Sequence, residues 1–151
     1  MATKFAQAYL DTLFSEPEFQ KLVEIAGYFY SSEEYSRDVP DYGLPQPAFV
    51  FQETLIWFSQ AIRSGVWTYY EATPRGRQDA MHHALEHEAP PGYAATYSLG
   101  METCQDNVKR QEVDEWIAAH ENDCNLWLWR LANRYRPIFE RACGQIQSDD
   151  S

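Results

Sequence analysis

The chain has 151 residues, the length of about one domain, and its 44% hydrophobic and 15% aromatic content suffices for a packed core without disulfides or metals. A formal charge of −11, from 23 acids against 12 bases, argues against direct nucleic-acid binding, because phosphate contacts need a basic face, and favours a basic partner. Cys104, Cys124 and Cys143 are too widely spaced for a disulfide framework or a thiolate zinc site, and no run approaches the ~18 apolar residues of a membrane span.

The N-terminal stretch MATKFAQAYLDTLF lacks the apolar core of a signal peptide, so the expected location is the cytoplasm, with reduced thiols. Its periodicity predicts a helix over 2–14 burying Phe5, Tyr9, Leu10, Leu13 and Phe14. Ser15-Glu16-Pro17-Glu18 reads as a capping box, with Ser15 the cap of a second helix through Phe19, Leu22, Val23 and Ala26. Residues 31–47 hold three prolines, a glycine and several acids, the composition of a surface loop.

A helix over about 48–63 follows, with Phe51, Thr54, Leu55, Phe58 and Ile62 on one stripe and Trp57 and Ala61 widening it, which predicts the central core helix. Gly65 fits a left-handed C-terminal cap, and VWTYY at 66–70 reads either as a strand or as a short helix. Thr73 caps and Pro74 opens a helix that runs to about Ala89, where Pro90-Pro91-Gly92 stops it. A short segment, YAATYSLGM, ends near Gly100.

From Val113 to Ala142, apolar residues recur at three- and four-residue steps, through Trp116, Ile117, Cys124, Leu128, Leu131 and Phe139. This predicts two helices, divided by a cap at Asn122-Asp123 and kinked by Pro137, before a polar tail, GQIQSDDS, that frays. The expectation is an all-α fold, a single-domain helical bundle of six to eight helices over 1–147, with 148–151 as a tail.

One stretch points to chemistry. His83-Ala84-Leu85-Glu86-His87 satisfies the H-x-x-E-H pattern of inverted zinc peptidases, in which two histidines one turn apart hold the metal and the glutamate activates bound water. A metal-binding helical protein or metal-dependent hydrolase centred on His83, Glu86 and His87, with Asp79 as a further donor, is therefore the alternative reading. Helical register opposes it: at 100° per residue from Met81, Leu85 falls at about 40° and Ala84 at about 300°, whereas His83 and His87 fall near 200° and 240°. That places them on a solvated, pH-sensitive face. His120 lies within the apolar stripe and reads as a hydrogen-bonded core residue, and no cysteine has the histidine-acid context of a nucleophile. No G-x-S-x-G, P-loop or dinucleotide glycine motif occurs, so no catalytic residue and no cofactor is expected.

Charge is blocky. Glu102, Asp106, Glu112, Asp114, Glu115, Glu121 and Asp123 form the densest acidic run, and Arg130, Arg134, Arg136 and Arg141 a local basic patch. Carboxylates spaced along adjacent helices can imitate DNA phosphates and occupy the basic surface of a DNA-binding protein; the alternative is a solubilising surface with intramolecular or dimer-forming pairs. Exposed Trp127 or Trp129 would suit assembly of a homodimer.

The segment QETLIWFSQAIRSGVWTYYEAT, 52–73, resembles the signature of a bacterial domain-of-unknown-function family that includes the acidic DNA-mimic protein. Glu53, Gly65, Trp67, Tyr69, Tyr70 and Glu71 fall in comparable order, while Arg63-Ser64 stands where the family tends to have Asn-Gly and Thr68 where it tends to have Gln. The resemblance implies an all-α fold without enzymatic activity, and DNA mimicry for some members. The sequence thus leads to a non-enzymatic, acidic protein-binding module, of DNA-mimic or immunity-type inhibitor character, with the seven acids as its partner-binding residues.

Overall fold

The computed structural model describes residues 4–103, 105–143 and 145–147, with side chains described for 6–103 and 105–143; the side chain of Phe5, Cys104, Gly144 and the tail 148–151 lie outside them. In chain order the elements are β1 (Lys4–Ala6), α1 (Gln7–Leu13), α2 (Phe19–Phe29), α3 (Gln46–Ser64), α4 (Val66–Ala72), α5 (Arg75–Glu88), α6 (Tyr93–Thr103), α7 (Asn107–Ala119), α8 (Glu121–Arg134), α9 (Arg136–Cys143) and β2 (Gln145–Gln147). The fold is helical as the periodicities require, with nine helices among the described residues against the six to eight expected.

The extra elements come from sharper breaks. The first predicted helix loses its opening turn because Lys4–Ala6 pairs in parallel with Gln145–Gln147, with Lys4 opposite Gln145 and Ala6 opposite Gln147. The two segments satisfy each other's backbone groups, which a frayed tail would leave to water. At the other end the long stripe is cut twice, at His120 (φ −111°, ψ 11°) and at Tyr135 (φ −110°, ψ 32°). Asn122 and Asp123 do not cap the junction but lie inside the first turn of α8, where Glu121 and Asp123 complement the helix dipole. Pro137 falls in the first turn of α9, where a missing N–H breaks no bond.

Two other caps shift. Ser15 is not the N-cap of α2; Glu18 is, without a side-chain bond, and Ser15 Oγ instead donates to Thr12 O at 2.7 Å. Pro17 disfavours helical backbone in the residue before it, which delays the start. Pro74 rather than Thr73 is the N-cap of α5, and the Thr73 hydroxyl turns back to Tyr69 O at 2.6 Å. VWTYY resolves as the helix α4.

α3 is the centre, touching α2, α4, α5, α7, α8 and α9. Burial of Phe49, Val50, Phe51, Leu55, Trp57 and Phe58 leaves little of its first three turns exposed, as expected of a helix apolar around most of its circumference. Phe29, Phe51 and Phe139 meet edge-to-face at centroid distances of 5.1–6.1 Å and join α2, α3 and α9. Trp57 does the same for α6 through Tyr97, 5.1 Å away. Two residues depart from their predicted burial: Ile62 is 52% exposed and Tyr9 38% exposed. Trp127 and Trp129 depart in the opposite sense, being half-buried: Trp127 packs on Tyr93 at 4.9 Å, and Trp129 Nε1 donates to Phe14 O at 2.8 Å.

Two glycines permit the central packing. Gly65 joins α3 to α4 with φ 93° and ψ 145°, so its φ is positive as predicted but its ψ is extended, a region open essentially to glycine alone. Gly100 sits inside α6 rather than ending it, and its missing Cβ makes room for the Tyr70 ring, which a Cβ would approach to 2.3 Å. That close approach lets the Tyr70 hydroxyl donate to Tyr97 O at 2.9 Å. Among the described residues, no helix is long and apolar enough to cross a membrane.

Candidate functional site

The acidic run spreads over the end of α6, all of α7 and the first turn of α8. Glu102, Asp106, Glu112, Glu115, Glu121 and Asp123 are exposed and Asp114 is half-buried. Glu112 and Glu115 share one helical face, a turn apart, and Lys109 Nζ at 3.9 Å from Glu112 is the one ion pair made by these acids among the described residues. Glu115 accepts from Gln111 Nε2 at 3.2 Å.

Two of the seven already have work inside the fold. Asp106 Oδ1 accepts from the backbone N–H of Val108 at 2.9 Å and of Lys109 at 3.1 Å, so it is the N-cap of α7. Asp114 Oδ1 accepts from Val66 N at 2.8 Å, reaching across from α7 to close the joint at Gly65. Burial pushes its carboxyl pKa up, with the Val66 bond acting against that. The exposed acids of the run without a bond to backbone among the described residues are therefore Glu102, Glu112, Glu115, Glu121 and Asp123.

The basic patch at the end of the chain is partly spent. Arg136 pairs with Asp11 and, at 2.7 Å, with Glu140, and lies 4.9 Å over the Phe14 ring. Hydrogen bonds from Gln7 and then Arg136 hold the Asp11 carboxyl below its usual range.

The histidine cluster lies as its register requires. Met81, Ala84 and Leu85 are buried, while His83, Glu86 and His87 are exposed. The His83 and His87 rings sit 4.3 Å apart, but His87 Nδ1 is 2.9 Å from His83 O, inside its own helix. Glu86 faces His82 Nδ1, at 3.3 Å, rather than the other two. Among the described residues no group of three His, Cys, Asp or Glu side chains stands close enough to hold a metal ion. His120 is half-buried, with Nδ1 2.6 Å from Trp116 O and its ring stacked on Trp116 at 3.9 Å. Cys124 and Cys143 are buried free thiols whose pKa burial pushes up, that of Cys143 to about 12, the reverse of what a nucleophile needs.

A buried carboxylate that the sequence marks only through the 52–73 resemblance lies inside the fold. Glu53 is 1% exposed on the inner face of α3, where it accepts from the Tyr42 hydroxyl at 2.9 Å and the Tyr69 hydroxyl at 2.5 Å. Tyr97 continues the chain, its hydroxyl 2.8 Å from that of Tyr69. Burial pushes the Glu53 carboxyl up, against the Tyr69 and Tyr42 hydroxyls and the Arg77 guanidinium, which lies 4.0 Å over the Tyr42 ring. The signal existed: Glu53 stands four residues after Phe49 and four before Trp57, on the apolar stripe of a core helix.

This network gives the 52–73 signature residues structural roles. Glu53 and Tyr69 clamp α3 to α4, Tyr70 holds α6, and Gly65 makes the joint, while Trp67 is 37% exposed with Arg110 6.0 Å over its ring. Comparison with known proteins finds no matching family model, no matching curated protein and no matching solved structure.

Proposed function

We propose that the chain is a non-enzymatic protein-binding module whose acidic surface, along α7 and the first turn of α8, receives a basic partner. The observation that carries the reading is the exposure of Glu112, Glu115, Glu121 and Asp123 on consecutive elements with one cation, Lys109, paired among them. Carboxylates one helical turn apart present negative charge at regular steps, as a nucleic-acid backbone does, and the net charge of −11 extends the attraction beyond the contact. The resemblance of residues 52–73 to the bacterial family that includes the acidic DNA-mimic protein points the same way, toward a partner that itself binds DNA.

The test is the salt dependence of binding to a fluorescent oligolysine and to a basic DNA-binding protein, with duplex DNA as competitor. Affinity should fall steeply between low and moderate salt, DNA should displace the chain from the second probe, and Glu112→Lys, Glu115→Lys and Glu121→Lys combined should lower affinity about tenfold or more at low salt. Asp114 is unsuitable for this test because it closes the Gly65 joint. Salt-independent binding that the triple reversal leaves intact would reject the acidic surface.

A further inference from the structure

A groove runs along the outward stripe of α3, between α2 and the start of α8. It comprises two depressions, of about 540 and 370 Å³, that are open to solvent and share Leu55, Ser59 and Arg63. The stripe from Gln52 to Arg63 forms the floor and is about 16 Å long at 1.5 Å per residue, three helical turns. α2 forms one wall, with Phe19 toward Ile62 and Tyr30 toward Gln52, and Glu121 to Asn125 at the start of α8 the other. Four of the eight large apolar side chains exposed among the described residues stand here: Phe19, Val23, Tyr30 and Ile62. Such clustering marks an interaction surface, whereas scattered exposed apolar groups do not.

Two further features say what fits. Arg63 is exposed in this apolar setting with no carboxylate within 4.0 Å among the described residues, and Glu121 lines the far wall, the only acid of the lining among the described residues. Gly27 stands exposed in the last turn of α2, and a Cβ placed on it meets nothing within 4 Å. The fold itself thus gives no steric reason for glycine there, and the side-chain-free backbone lets another chain approach α2 closely.

We infer that this groove docks an amphipathic helix of a partner protein, about three turns long, whose apolar face covers Val23, Leu55 and Ile62 and whose carboxylate pairs with Arg63. A neutral or basic group of the same helix faces Glu121. The mode is helix-in-groove recognition, anchored at positions three and four residues apart. It is a second surface, distinct from the acids on α7, and it meets the acidic surface at Glu121.

The experiment selects a displayed library of roughly 14-residue helices, apolar along one face and carrying Glu, Gln or Lys at the flanking positions, against the full chain. Selected helices should carry an acid at one constant position and lose about tenfold or more in affinity for Gly27→Leu, which fills the groove with a good helix former and leaves the melting temperature unchanged or higher. Arg63→Glu should exchange the preference for Glu into one for Lys, while Glu112→Lys with Glu115→Lys should leave binding unchanged, separating this surface from the acidic one. Helices selected without a constant acid, or bound equally by Gly27→Leu, overturn the inference. Two outcomes give the groove to another occupant and overturn it equally: a dimer in light scattering that Ile62→Glu dissociates, and saturable binding of dodecanoate, blocked by Gly27→Leu, where no helix is selected.

Discussion

Glu53 and Glu115 are the same residue in opposite surroundings. Glu53 is enclosed between α3, α4 and the loop before α3, and its carboxyl holds two tyrosine hydroxyls. Glu115 is exposed on α7 and touches one glutamine of its own helix. Removing the first leaves the buried Tyr42 hydroxyl without an acceptor; removing the second leaves water where a carboxylate was. Only the exposed acids can act over distance on a partner, because the field of Glu53 is taken up by its donors and its protonation is favoured by burial. Asp114 lies between the two, half-buried and tied to the Gly65 joint. A net charge counts all three alike.

The largest expected effect is that of Glu53→Ala, which strands the Tyr42 hydroxyl, leaves Tyr69 with the Tyr97 hydroxyl alone and leaves a void, lowering unfolding free energy in urea by about 3 kcal/mol. Glu53→Gln should lose less and expose the titration. The Glu53 pKa is raised in the fold, so its contribution is fully present below its unfolded value near 4.5 and is lost as pH rises through the folded value. The wild type should therefore lose thermal stability relative to Glu53→Gln as pH is raised above about 4.5. A difference in melting temperature that is flat with pH, or that grows in the wild type's favour, would place an ionised carboxylate in the core and break the contrast.

At the intermediate position, Gly65→Ala should lose about 2 kcal/mol by forcing a side chain into positive φ and extended ψ, measured in the same titration. Asp114→Ala should lose about 1 kcal/mol by freeing the Val66 N–H, and the two variants together should lose less than their sum, since both open one joint. Least of all, Glu115→Ala and Glu121→Ala should each stay within about 0.5 kcal/mol of the wild type while weakening binding to oligolysine. A large stability loss at either would show that the acid is built into the fold rather than presented by it.

The periodicity of the chain determines most of its helices, because a stripe of apolar residues at three- and four-residue steps has one way to be buried. It also determines the outward turn of His83 and His87, since Met81 and Leu85 fix which side of α5 faces the core. Local signals fail where tertiary contacts compete. Lys4–Ala6 leaves the predicted helix to pair with a segment at the far end of the chain, and α6 runs past Gly100, whose missing Cβ makes room for the Tyr70 ring. Ile62 fits the apolar stripe of α3, yet the fold leaves it at a groove between α2 and α8. Charge was legible as a sum and as blocks along the chain, but not by surroundings. Which carboxylate is buried among tyrosines, which closes a joint and which faces solvent depends on neighbours brought together from distant positions, and burial and hydrogen bonding act on a carboxylate only through those neighbours.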